Sequence, residues 1–271
     1  MTVSDELFLA ILAMDSYNRG YGAGIDELGG IGSKLGNATI STDAGKILGA
    51  DAQAAGFYAV AYKWGDTTVI AYRGTDNVTG KDPGSYGGSD LVNGWLVGAG
   101  LLPRQAELAE QFYARVTGDG STSSRPASVI LTGHSMGGGL AGYVAALTGD
   151  KATVFNNMPY FGAALRRSLE KAVSNGDVNS VTLPTTDKSI HSINIDGEAV
   201  APIRSVGPTA MRGSTALLRN MNLNVSAFFD ALVSQWVEWG LVRRIIQGVT
   251  GFIGGRMNAG LFRGGYEEAS P

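Results

Sequence analysis

Short apolar, β-branched runs alternate along this chain with longer segments of helical spacing. The runs Phe57-Tyr58-Ala59-Val60-Ala61-Tyr62-Lys63 and Thr67-Thr68-Val69-Ile70-Ala71-Tyr72 flank Trp64-Gly65-Asp66, which predicts a hairpin. Ala127-Ser128-Val129-Ile130-Leu131 reads as a buried parallel strand, and the helix formers of 140–147, closed by Gly149, read as the helix that follows it. Pro103 opens an earlier helix over 104–113. Further on, 152–156 and 189–195 have strand character and 163–173 helical character. At the start, 7–14 predicts a first helix capped by Ser4 or Asp5 and ended near Gly20. Residues 20–50 are rich in Gly, Ser, Thr and Asn, lack periodicity, and read as loop with short pieces of order. Strand and helix in alternation predict an α/β fold: a mostly parallel sheet, helices on both faces, and an N-terminal antiparallel hairpin. One such domain is expected to span residues 1–271.

Two stretches stand apart from this alternation. Residues 77–95 are long, polar and rich in Gly and Asp, which suits a lid with glycine hinges. Residues 225–253 carry Phe228, Phe229, Leu232, Val233, Trp236, Leu241, Ile245 and Ile246 at roughly helical spacing. That is the pattern of an amphipathic segment, packed on the body of the protein or facing lipid.

Composition narrows the chemistry. With 44% hydrophobic and 17% charged residues, the 271-residue chain has the make-up of a globular α/β domain. A net charge of −3 and the absence of a basic stripe argue against a nucleic-acid partner. Zero cysteines exclude disulfides, thiol nucleophiles and cysteine-ligated metals, and two histidines, His134 and His191, are too few for a histidine-based metal site. No cofactor motif is present: Gly20-Tyr21-Gly22-Ala23-Gly24 lacks the preceding strand of a dinucleotide fingerprint. The start has no basic n-region and no run is long enough to span a bilayer, so a cytoplasmic location, or secretion without a cleavable signal, is expected.

Candidate chemistry centres on Thr132-Gly133-His134-Ser135-Met136-Gly137-Gly138-Gly139, which lies between the predicted strand and the predicted helix. A strand, a Gly-x-Ser-x-Gly turn and a helix make the nucleophile elbow of a serine hydrolase. The serine needs a strained backbone that lifts its Oγ above the sheet edge, and small neighbours let strand and helix pass closely. Ser135 is the expected nucleophile.

Other pieces then line up with one family. The hairpin running into Tyr72-Arg73-Gly74-Thr75 resembles the strand and FRG-[ST] turn of class 3, fungal-type lipases. Residues 132–139, the helix after them and Thr153-Val154-Phe155-Asn156 look like the corresponding stretch of related bacterial lipases and phospholipases. Gly197-Glu198-Ala199-Val200 is similar to the acid-bearing G-[DE]-x-V turn of that group, and the pieces keep the same order over residues 55–205. The resemblance implies an α/β-hydrolase in which Thr75 helps build the oxyanion hole, with the backbone N–H of Met136 as the other donor. For the acid, Glu198 matches the family spacing, Asp196 stands directly after Ile193-Asn194-Ile195, and Asp187 is a more distant choice. Glu198 and Asp196 both follow the carboxyl end of a strand, where ligand-facing groups of open α/β sheets sit.

Histidine is where the chain departs from the family. Class 3 lipases carry the base C-terminal to the acid, yet no histidine follows Glu198. His134 occupies the variable position of the serine turn, normally pointed away from the hydroxyl. His191 precedes Ile195 in its own strand, seven residues and about 23 Å from Glu198. A serine without a base is a weak nucleophile, so His191 stands both as the candidate base and as a structural strand residue. The resemblance implies ester hydrolysis through an acyl-enzyme on Ser135, with an acyl ester or lipid as substrate, transient contact with a lipid interface, and no cofactor. Two rivals remain: a hydrolase-fold binding or scaffold protein without turnover, and a membrane-surface protein acting through 225–253.

Overall fold

The structure, a computed structural model, describes residues 4–21, 25, 28–75, 97, 98, 100–118, 125–176, 184 and 189–195. Among these, seven strands form one sheet in sequence order: β1 (Lys34–Leu35), β2 (Ala38–Asp43), β3 (Ala59–Trp64), β4 (Thr67–Tyr72), β5 (Ser128–His134), β6 (Lys151–Phe155) and β7 (Ile190–Ile193). β1 to β4 pair antiparallel; β4 to β7 pair parallel. The helices are α1 (Asp5–Asp15), α2 (Ala44–Leu48), α3 (Ala50–Ala54), α4 (Arg104–Thr117), α5 (Met136–Thr148) and α6 (Phe161–Ser174). The α/β expectation holds.

The antiparallel half is larger than the single hairpin expected. Residues 20–50, read as loop with short pieces of order, contain β1, β2 and α2, and α3 begins at their end. β2 turns only Ala38 and Ile40 fully inward and otherwise presents threonine, serine and aspartate, so its apolar alternation is too short to register in the sequence. The strand before the serine also runs on to His134, and α5 begins at Met136, well before the helix formers.

Alternation along β5 separates the two faces of the sheet. Thr132 lies under α1, its hydroxyl 3.4 Å from the Leu9 carbonyl and 2.8 Å from that of Thr153. Gly133 points the other way, against the first turn of α5. Parallel strands laid down in sequence order, with crossovers of one hand, send their connecting helices to a single face. Accordingly α5 packs between α4 and α6, and α1 takes the opposite face of β4, β5 and β6. Ser4 caps α1 by accepting from Leu7 N at 3.3 Å, and Phe8, Leu9, Leu12 and Ala13 form its buried side. Its other side leaves Leu7, Ile11 and Met14 exposed.

Just past α1, a buried polar cluster joins it to the antiparallel strands. Asp15 accepts from Arg19 Nε and from the Tyr62 hydroxyl, the latter at 2.6 Å, while Arg19 Nη1 donates to the Gly29 carbonyl. Asp15 and Arg19 are each 7% exposed. Burial, reinforced by the Asp15 carboxylate, pushes the Tyr62 phenol well above its ordinary range, which keeps it a neutral donor. Removing one partner from such a pair strands a buried charge, so Asp15→Ala is expected to lose about 3–5 kcal/mol. Urea unfolding is the measurement, with Ile11→Ala on the exposed side of the same helix as control. A loss no greater than the control's removes the cluster from the stability argument.

Candidate active site

Ser135 is the single residue between β5 and α5, and its backbone stands at φ 56° and ψ −122°. That conformation costs a non-glycine residue about 1–3 kcal/mol and persists only where its neighbours enforce it. Three backbone hydrogen bonds do so here. Ser135 N donates to the Phe155 carbonyl at 2.9 Å, and the Ser135 carbonyl accepts from Gly139 N at 3.1 Å and Met158 N at 3.0 Å. The serine is partly exposed at the C-terminal end of β5, on the N-terminus of a helix whose first-turn amides have no preceding carbonyl within the helix.

Glycine permits this approach. A Cβ on Gly133 would stand 2.4 Å from the backbone of Gly137, and a Cβ on Gly137 would stand 2.2 Å from the Tyr72 carbonyl. The first turn of α5 therefore rests directly on the backbone where β4 ends.

From that end of β4 the chain runs through Arg73 and Gly74 to Thr75. Arg73 is 2% exposed; its N–H donates to the Tyr58 carbonyl at 3.0 Å and its Nη1 to the Tyr21 carbonyl at 2.7 Å. The guanidinium lies 4.4 Å from the Tyr21 ring centre and 5.0 Å from that of Tyr58. In a desolvated site such stacking contributes about 2 kcal/mol. So anchored, the turn carries Thr75 to the serine, where its hydroxyl points at Met136 Sδ at 3.8 Å. Thr75, Ser135 and Met136 are brought together.

The histidines differ in position. His191 pairs with Thr153, which pairs with Thr132, so it stands three register positions before Ser135. That is about 10 Å along the strands and about 10 Å across two strand spacings. Its Nδ1 lies 3.4 Å from the Glu6 carboxylate, with both side chains about 60% exposed. His191 is therefore not brought to Ser135, because it shares with Thr132 the face covered by α1. His134 is nearer, its Nδ1 3.2 Å from the Tyr17 hydroxyl. Asp187, Asp196 and Glu198 lie outside the described residues, as do the lid candidate 77–95 and the segment 225–253.

The approach to the acid candidates is well held. Asn156, in a left-handed conformation at φ 43°, accepts at Oδ1 from Ile195 N at 2.8 Å. Buried Asn157 accepts from the Ser192 hydroxyl and donates to the Met158 carbonyl at 3.0 Å. Together the asparagines join the serine turn to the chain leaving β7. Sequence reasoning passed over Asn156, Asn157 and Tyr17; the Asn-Asn pair at a strand's end is a turn signal that marks the first two. Among the described residues there is no cluster of metal-ligating side chains, and no helix is long and apolar enough to cross a membrane.

An α/β sheet with a strained serine at a strand end, facing a threonine turn, is an arrangement found in lipolytic enzymes. The match to a known family is more specific: the chain belongs to a phospholipase-like family, the Tle-like phospholipase domain, which it matches over residues 10–235. No curated protein matches it.

Gly137→Ala is expected to cost about 3 kcal/mol or more, because a backbone carbonyl rather than a pliable side chain opposes the new methyl. Gly149→Ala, at the open left-handed end of α5 (φ 78°), is the comparison and should cost about 1–2 kcal/mol. Equal losses in urea unfolding would show that the close approach does not decide the sequence here.

Proposed function

We propose that this protein hydrolyses carboxylic esters of lipids through an acyl-enzyme on Ser135. The observation that carries the reading is the strained serine at a helix N-terminus with Thr75 and Met136 beside it. Family membership points the substrate towards phospholipids. The resemblance of Tyr72-Arg73-Gly74-Thr75 to the class 3 lipase turn supports the same assignment. In the reaction, Ser135 Oγ adds to the acyl carbon while its proton passes to a base. The tetrahedral oxyanion is held by the Met136 amide and Thr75, and its collapse expels the alcohol as the base returns the proton to the leaving oxygen. Water then cleaves the acyl-enzyme by the reverse sequence. Glu198 or Asp196 is the acid of the scheme, and 77–95 its lid. Transient contact with a lipid interface is part of the proposal; exposed Leu7, Ile11 and Met14 supply apolar surface for it.

A second reading has one observation in its favour. His191 stands about 10 Å along and about 10 Å across from Ser135, and no histidine follows Glu198. A serine turn without its base describes a binding or scaffold protein with feeble turnover.

One set of measurements separates the two. A fluorophosphonate probe should label Ser135, with no labelling in Ser135→Ala, and phospholipid vesicles should release fatty acid only with the wild-type chain. Wild-type-level labelling of Ser135→Ala would sink the nucleophile assignment; labelling without ester turnover favours the scaffold. His191→Ala should leave both readouts nearly unchanged. A loss of a hundredfold or more, with the fold intact, would make His191 the base after all, since general-base help is worth ~10²–10⁴ in rate.

Between the acids, Glu198→Gln should depress kcat far more than Asp196→Asn, because neutralising the true acid leaves the base without its orienting charge. The opposite ranking gives the role to Asp196.

A further inference from the structure

We infer that Tyr17 is a positioning residue that holds the oxyanion turn at a fixed distance from the nucleophile; the inference rests on the ester-hydrolysis reading. Tyr17 belongs to the short three-ten turn Ser16–Asn18 that follows α1. Its hydroxyl lies 3.2 Å from His134 Nδ1 and 3.3 Å from the His134 carbonyl, so it touches the residue directly before Ser135 on both side chain and backbone. The same hydroxyl reaches the other segment of the site: a Cβ on Gly74, the residue directly before Thr75, would stand 1.8 Å from it. One phenol oxygen therefore fills the gap between the two turns that carry the donor and the nucleophile.

The need for such a filler follows from the sheet. The register of β4 with β5 ends at Tyr72↔Gly133. Gly74, Thr75 and Ser135 lie beyond that last register pair. A displacement of about 1 Å in a reacting geometry can cost as much as ~10²-fold in rate. There Tyr17 places a hydroxyl between the two backbones, against Gly74 on one side and the His134 carbonyl on the other. When its O–H donates to the His134 carbonyl, the phenol oxygen accepts from Nδ1–H, which also fixes the imidazole tautomer. Gly74 is small because that space is taken.

Tyr17→Phe removes the hydroxyl and keeps the ring. The expected result is a fall in kcat of roughly 10–100-fold for a chromogenic short-chain ester, with KM within about twofold of wild type. The imidazole nitrogen resonances give an independent readout. The chain has two histidines, and only the His134 signals should move, while those of His191 stay. Gly74→Ala, which drives a methyl into the same space, should reproduce the kcat loss and the His134 shift. Thr75→Val should lose less in the Tyr17→Phe background than alone, because both changes weaken the same oxyanion contact. Unchanged kcat in folded Tyr17→Phe, with turnover abolished in Ser135→Ala, overturns the positioning role and leaves ester hydrolysis standing. Absence of both labelling and turnover in wild type overturns the hydrolysis reading and this inference with it.

Discussion

The constraint on which the rest of this molecule depends is contact between backbones. The first turn of α5 lies so close to the ends of β4 and β5 that no atom can be added at Gly133 or Gly137 without meeting a main-chain carbon or oxygen. Side-chain packing can relax around an added methyl; main chain against main chain cannot. That contact fixes the angle at which the helix leaves the sheet. The angle in turn goes with the positive-φ conformation of Ser135 at the start of the helix. The strain is sustained by the surrounding bonds, above all those from Phe155 and Met158 on the neighbouring strand and loop.

Around this contact, polar groups are buried with partners already assigned. Arg73 lies between two tyrosine rings and a carbonyl, and Asp15 lies between Arg19 and Tyr62. Both arrangements tie the end of α1 and the segment after it to the antiparallel strands, and Arg73 lies on the approach to Thr75. A buried cation or carboxylate is costly to detach from its partners, so each group accepts few alternative geometries. The antiparallel half thus acts as a rigid support that delivers one turn to the serine, while the parallel half carries the serine itself.

Much of this was legible in the sequence because the buried strands are nearly unbroken apolar runs. β3 through β6, with α4, α5 and α6, follow from that pattern. β2 does not, since two inward residues are too few to show a period, and only pairing with β3 makes it a strand. For the proposed site, Ser135 and Thr75 could be named because each lies in a local motif. The part played by Tyr17 could not: it depends on a contact across 117 residues, and an isolated tyrosine after a helix carries no local signal. His191 is a middle case. Its strand was evident from the run 189–195, but its distance from Ser135 required the register between β5, β6 and β7. The long-range terms are set by which elements become neighbours, and no window of sequence contains that information.

Helix α1, on the far face of the sheet, also bears on how the chain is made. Leu9, in α1, meets Thr132, and the two are 123 residues apart. At synthesis rates of about 5–20 residues per second, α1 leaves the ribosome roughly 6–25 s before its docking surface exists. Phe8 meets Trp64 of β3 early, but the β5 and β6 surface that receives most of the helix's buried side is absent throughout that interval. The parallel strands, which need long crossovers before they pair, cannot shorten the wait. α1 therefore stays incompletely covered until β5 and β6 are made, so capture of its apolar side by a chaperone during that interval is an expected consequence of this topology.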